Sequence, residues 1–200
     1  NTNYKIATVY YTFGKAAAAS SGGVKPDANF VTIDGGKPFA APNQLCFENG
    51  DEATTTDSSG YNAKYDPSTG VLELNGYRGG PIAIGGAVEA DITIRLVGDN
   101  VITSSGQFGI VNHHGGDITI TTITADSDAT LTINVTNAAQ EAIGIACDRT
   151  ESYPGCSRAI TIGGKAQVTV NATSTDARDI KTAAGLRTPG TVTIRDGASF

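Results

Sequence analysis

Residues 91–120 read DITIRLVGDNVITSSGQFGIVNHHGGDITI, a stretch that opens and closes on the same four letters. Successive side chains of a strand point to opposite faces, so Ile92 and Ile94 share one side and Thr93 takes the other. The same aliphatic-x-aliphatic core recurs outward from this stretch as Leu72-Glu73-Leu74, Ile118-Thr119-Ile120, Ile160-Thr161-Ile162 and Val192-Thr193-Ile194. Its starts fall at residues 72, 92, 118, 160 and 192, giving spacings of 20, 26, 42 and 32. An irregular period of this kind belongs to a solenoid whose corners carry loops of different length.

A small or polar corner and a second strand follow most of these cores, at Val101-Ile102-Thr103, Leu131-Thr132-Ile133 and Val168-Thr169-Val170. A third station places a small residue before a large one, at Gly109-Ile110, Gly144-Ile145 and Gly185-Leu186. Three faces per repeat predict an all-β chain folded as a right-handed parallel β-helix, a three-faced solenoid. Rungs stacked about 4.8 Å apart would bury continuous columns of Ile, Leu and Val. The outward threonines 93, 119, 161 and 193 are expected to form a ladder that favours strand formation. Flat ice-binding faces need two such columns per strand, and each core offers one.

Composition agrees with this reading. The chain has 25 glycines and neither Met nor Trp, which suits short strands and tight turns better than packed helices. Two hundred residues, 39% of them hydrophobic, supply one main domain. Twenty acidic against 14 basic residues leave a net charge of -6, so nucleic acids and anionic membranes meet a surface of their own sign. No apolar run approaches the roughly 20 residues of a membrane-spanning helix.

Upstream of the repeats the pattern changes. YKIATVYYTF at residues 4–13 reads as a strand, with Tyr4, Ile6, Val9, Tyr11 and Phe13 as residues fit for assembly with another chain. The small-residue stretch at 16–23 reads as a tether, or as one helical turn ended by Ser and Gly. One or two strands are expected around Asp34-Gly35-Gly36, then a polar loop at 51–60. The expected divisions are 1–23 for the N-terminal strand and tether, 24–60 for a small β cap module, and 61–200 for the β-helix.

The block YDPSTGVLELNGY at residues 65–77, followed by Asp-Ile-Thr-Ile at 91 and 117 and by the Gly-Ile stations, resembles bacterial cell-surface β-helix proteins of the carbohydrate-binding-domain-containing type. The resemblance covers roughly residues 31–200, and its motifs encode the coil more than a site. It implies a secreted or cell-surface location and polysaccharide binding, sometimes with calcium.

Several residue sets offer candidate chemistry. Asp91 and Asp117 each precede a strand core and would stack about 5 Å apart, a separation that paired catalytic carboxylates use. The column breaks at Ala159 and Thr191, which favours turn carboxylates that satisfy nearby amides. His113 and His114 point to opposite sides of an extended chain, so one metal would not be held by both. Asp99, Asn100, Asp126 and Asp128 offer oxygens to calcium, but they match no calcium loop. No other cofactor is expected. Cys147 and Cys156 bracket a segment with Pro154 and Gly155 and are expected to form a disulfide, the alternative being two buried thiols; Cys46 would then be free. The sequons Asn134-Val-Thr136 and Asn171-Ala-Thr173 permit glycosylation. For a sugar, Tyr77 with Arg78 and Tyr153 with Arg149 pair a ring with a polar neighbour, against a reading as partly buried tyrosines.

Together these readings predict a non-catalytic extracellular protein that acts in attachment, with glycan as partner. The alternative is a filament subunit whose partner is a neighbouring copy, joined by exchange of the strand at 4–13. A polysaccharide lyase, which needs a base beside an acidic cluster, stands third.

Overall fold

The computed structural model describes residues 26, 30–33, 37–39, 46–47, 61–85, 90–113, 116–138, 141–147, 158–175 and 183–200. They are all-β. In chain order the strands are β1 (Val31–Ile33), β2 (Lys37–Pro38), β3 (Cys46–Phe47), β4 (Ala63–Asp66), β5 (Val71–Asn75), β6 (Arg78–Gly79), β7 (Ile82–Ile84), β8 (Ile92–Ser104), β9 (Phe108–Asn112), β10 (Ile118–Thr122), β11 (Asp128–Asn137), β12 (Ala142–Cys147), β13 (Ile160–Ile162), β14 (Lys165–Ser174), β15 (Ala183–Arg187) and β16 (Val192–Ile194).

Parallel pairing sorts most of them into three sheets. The first carries the Ile-Thr-Ile cores, with β5, β8, β10, β13 and β16 side by side. The second joins β6, the far half of β8, β11 and β14. The third runs β7, β9, β12, β15. The chain visits the sheets in the same order on every circuit: β5–β6–β7, β8–β9, β10–β11–β12, then β13–β14–β15. It begins again with β16 and a parallel bridge from Ser199 to Gln167.

Register follows the repeat closely. Ile92, Ile118, Ile160 and Val192 share one position, and Ile94, Ile120, Ile162 and Ile194 another, with the threonines between them. The six isoleucines of β8, β10 and β13 at these positions are buried, each worth about 1.5–3 kcal/mol of transfer free energy.

Two equivalences differ from those the sequence suggests. Leu72 pairs with Ile94 and Leu74 with Leu96, two residues away from a Leu72–Ile92 match. A slip of two leaves both leucines facing inward, so the hydrophobic pattern is blind to it. In the second sheet the match of Val101-Ile102-Thr103 to Leu131-Thr132-Ile133 is off by one: Leu131 pairs with Asn100 and Ile133 with Ile102, while Leu131 and Ile133 meet Val168 and Val170 as expected.

That placement puts a fully buried asparagine in an aliphatic column. Asn100 sits just past a corner where Gly98 adopts a φ of 62°, a left-handed turn that glycine takes without cost from a Cβ. Its Nδ2 donates to the carbonyls of Val97, Gly98 and Thr130, each at 3.2 Å, and its Oδ1 accepts from the Tyr77 amide at 2.9 Å. The corner turns backbone groups inward, and this side chain satisfies them.

The third sheet uses its small-before-large station for close approach. A Cβ on Gly144 would lie 2.3 Å from Val170 Cγ1 and 2.6 Å from the Gly185 carbonyl oxygen, so the second sheet fills the space that the missing side chain leaves.

Antiparallel strands close the beginning of the stack. β4 pairs with β5 at the first sheet, and β1 pairs with β7 at the third, where β1 and β2 form the expected hairpin. Val31, Ile33, Phe39 and Tyr65 are buried there, with the Phe39 and Tyr65 rings 5.8 Å apart. At the far end Ile194 and Phe200 are 41% and 45% exposed. The assembly residues Tyr4, Ile6, Val9, Tyr11 and Phe13, the tether, the Asp34-Gly35-Gly36 turn and the loop at 51–60 lie outside the described residues.

Candidate ligand-binding face on the second sheet

The alternation that sends Leu131, Ile133 and Val135 into the core turns Thr130, Thr132, Asn134 and Thr136 outward from β11. On β14, Gln167, Thr169, Asn171 and Thr173 take the same face, and on β8 Asp99, Val101 and Thr103 do so. Parallel register stacks them into columns: Asp99–Thr130–Gln167, Val101–Thr132–Thr169, Thr103–Asn134–Asn171 and Thr136–Thr173. Neighbours within a column are about 4.8 Å apart, and columns are about 7 Å apart along the strands. Asn171 Nδ2 donates to Asn134 Oδ1 at 2.9 Å, and Thr130 Oγ1 donates to Asp99 Oδ1 at 2.8 Å. The two sequons therefore stack in register, one directly above the other.

A groove of about 350 Å³ lies at the head of this array, lined by Arg78, Gly79, Gly80, Val101 and Thr103. Arg78 and Gly79 pair with Val101 and Ile102, so the first circuit enters the sheet through two residues and then runs into Gly80. Where later circuits carry threonine or asparagine, this one carries bare backbone, and the step makes the concavity. The Arg78 side chain is exposed, and no hydrogen bond or ion pair joins its guanidinium to a described residue.

Tyr77 is a correction. Its side chain is fully buried, and its hydroxyl donates to the Gly80 carbonyl at 3.1 Å, because Arg78 faces outward and the residue before it faces inward. It shapes the groove from beneath and offers no ring to a ligand. Arg149 and Tyr153 lie outside the described residues.

Other sequence candidates resolve individually. The carboxylates of Asp91 and Asp117 accept backbone amides of the next circuit. Asp99, Asn100, Asp126 and Asp128 do not converge: Asn100 is interior, Asp99 is bonded to Thr130, and Asp126 and Asp128 are exposed. Among the described residues, no three His, Cys, Asp or Glu side chains are placed to hold a metal ion. His113 stands edge-on to Phe108 at 6.0 Å, and His114 lies outside the described residues.

The expected bridge from Cys147 to Cys156 finds no support. Cys147 is a free, buried thiol at the inward end of β12, its Sγ donating weakly to the carbonyls of Gly116 and Ala159 at 3.6 and 3.8 Å. Burial pushes its pKa up to about 12. Cys156 lies outside the described residues.

The count of one outward threonine per core stops at the first sheet; Asn134 and Asn171 enter only as sequons, and Gly80, Thr103, Thr132 and Thr169 are not singled out as a face. The signal was present in TLTINVT at 130–136 and QVTVNAT at 167–173, two segments whose polar members coincide at alternate positions. No family model, curated protein or solved structure matches this chain.

Proposed function

We propose that the protein is a non-catalytic, extracellular surface protein, a right-handed parallel β-helix that attaches to glycan through the outer face of its second sheet. The observation that carries this reading is the register-stacked array of Thr and Asn side chains ending in the Arg78 groove. Short side chains fixed on a sheet lose little freedom when they bind, so hydrogen bonds to a polyhydroxylated chain are not offset by ordering them. The column spacing also repeats, which suits a ligand that repeats. The resemblance of residues 31–200 to cell-surface β-helix proteins supports the location.

A glycan array tests the reading, run with and without calcium on the wild-type chain and on Thr169→Ala/Asn171→Ala. Retention of a linear oligosaccharide by the wild type and its loss in the variant is the expected result. A blank array under both conditions removes the glycan reading.

A second reading is self-association by strand exchange, in which the β-branched and aromatic stretch at residues 4–13 would pair with a neighbouring copy. Deleting residues 1–20 should then abolish assemblies visible by electron microscopy. Assemblies unchanged by the deletion would exclude it.

A further inference from the structure

We infer that the face on the second sheet recognises a glycan carrying a single carboxylate on its end residue, with that carboxylate on Arg78 and neutral sugars laid along Thr103, Asn134 and Asn171. The inference rests on the glycan reading and adds the chemical class of the ligand. Three observations lead to it.

The first is the state of Arg78. Two other cations at this end of the stack are engaged: Arg95 faces Glu73 at 3.6 Å, and Lys64 lies over the Tyr61 ring. Arg78 has no such partner among the described residues and projects at the groove's rim. Its planar fork of donors matches a carboxylate with two parallel hydrogen bonds.

The second is the shape of the floor. Gly79 cannot carry a side chain, since a Cβ there would lie 2.5 Å from the Tyr77 hydroxyl beneath it. A sugar ring therefore meets backbone, with Val101 and Thr103 as a wall.

The third is charge. Among the described residues, the Val101 and Thr103 columns next to the groove hold Thr, Asn and Val and no further cation; the other cation of this face, Lys165, stands at its far edge in register with Asp128, its Nζ donating to the Asp126 carbonyl at 3.3 Å. A second carboxylate laid along Thr103, Asn134 and Asn171 would meet no cation there, on a protein of net charge -6. One anionic end group fits this surface and a polyanion does not.

The test is an array of matched oligosaccharides of equal length, each ending in a uronic or sialic acid residue, printed as the free carboxylate and as the carboxyl-reduced alcohol. A third series carries a carboxylate on every residue. The wild-type chain is expected to prefer the end-carboxylated series about tenfold over the alcohols, a ratio set by one charge-assisted pair at a partly exposed site. It should bind the fully carboxylated series more weakly than the end-carboxylated one. Arg78→Gln, at an exposed position, should fold as the wild type does by circular dichroism and bind acid and alcohol alike. Equal binding of acid and alcohol by the wild type, or tighter binding of the fully carboxylated series, overturns the inference and leaves the glycan reading standing. A wild-type array blank in all three series overturns both.

Discussion

Asp91 Oδ1 accepts the amide hydrogen of Asp117 at 2.7 Å, across one full circuit of the chain, and Asp117 Oδ1 accepts that of Ala159 at 2.8 Å. The backbone runs beside them in the same rhythm, the amides of Ile92, Ile118 and Ile160 donating to the carbonyls of Asp117, Ala159 and Thr191 at 2.9 Å. Each carboxylate thus extends the ladder by one bond just before a strand core. A hydrogen bond to a charged acceptor is worth about 1.5–3 kcal/mol, less where water reaches it. Asp91→Ala and Asp117→Ala should each lower the unfolding free energy by about 1–2 kcal/mol in urea titrations, with unchanged m-values. The ladder stops at Ala159 for want of a carboxylate, so Ala159→Asp should gain roughly 0.5–1 kcal/mol by reaching the Thr191 amide. A loss on that substitution would show that the ladder does not extend.

Asn100 carries the strongest prediction about stability. Replacing it with leucine restores the aliphatic column of Leu131 and Val168 but strands the Tyr77 amide and the inward carbonyls around the corner. An orphaned buried group costs about 1–3 kcal/mol, and more than one is orphaned here. Asn100→Leu should therefore destabilise by about 3 kcal/mol or more, despite being the more hydrophobic side chain. Thermal unfolding that leaves Tm unchanged would mean that water or a backbone shift replaces the amide.

The comparison of pattern and structure divides along physical lines. Inward aliphatics are legible because period-two alternation depends on the residue type alone, and all five aliphatic-x-aliphatic cores proved to be neighbouring strands of one sheet. Register is less legible: Leu72 slips by two without changing face, and Asn100 breaks an aliphatic column for reasons found only in the corner's carbonyls. Tyr77 and Arg78 show the same limit at the candidate site. Adjacent in sequence, they suggest one ring-and-cation unit, yet a strand sends one inward and the other to the groove. Asp91 and Asp117 were legible as turn carboxylates because the column fails at Ala159, a feature of the sequence itself.

The glycine stations separate two kinds of constraint. At Gly144 an added methyl would meet Val170 Cγ1 and the Gly185 backbone, whereas at Gly98 nothing lies within 4 Å and only the φ of 62° resists. Overpacking costs about 1–3 kcal/mol. A left-handed non-glycine residue costs about 1–2 kcal/mol. Gly144→Ala should be the more damaging of the two, and pairing it with Val170→Ala should recover only part of the loss, because the carbonyl of Gly185 does not move aside. Chemical denaturation of the single and double variants checks both statements. Full recovery in the double variant would place the whole conflict at Val170.

Cys147 makes a prediction about pH. Burial lifts its folded-state pKa to about 12, from an ordinary thiol value near 8.5 in the unfolded chain. The folded state then holds the thiol proton where the unfolded state has released it. The associated stability is fully present below the unfolded pKa and is lost as pH rises from about 8.5 toward 12. Wild-type stability should accordingly fall across this interval more steeply than that of Cys147→Ala, although the alanine variant starts lower for its lost packing. Native alkylation supplies an independent check, since the thiolate is the reactive form. Iodoacetamide at pH 8 followed by peptide mapping should leave Cys147 unmodified until denaturant is added. Rapid modification of Cys147 in the folded protein would mean that the end of β12 opens readily, and the buried thiol would no longer account for any alkaline loss.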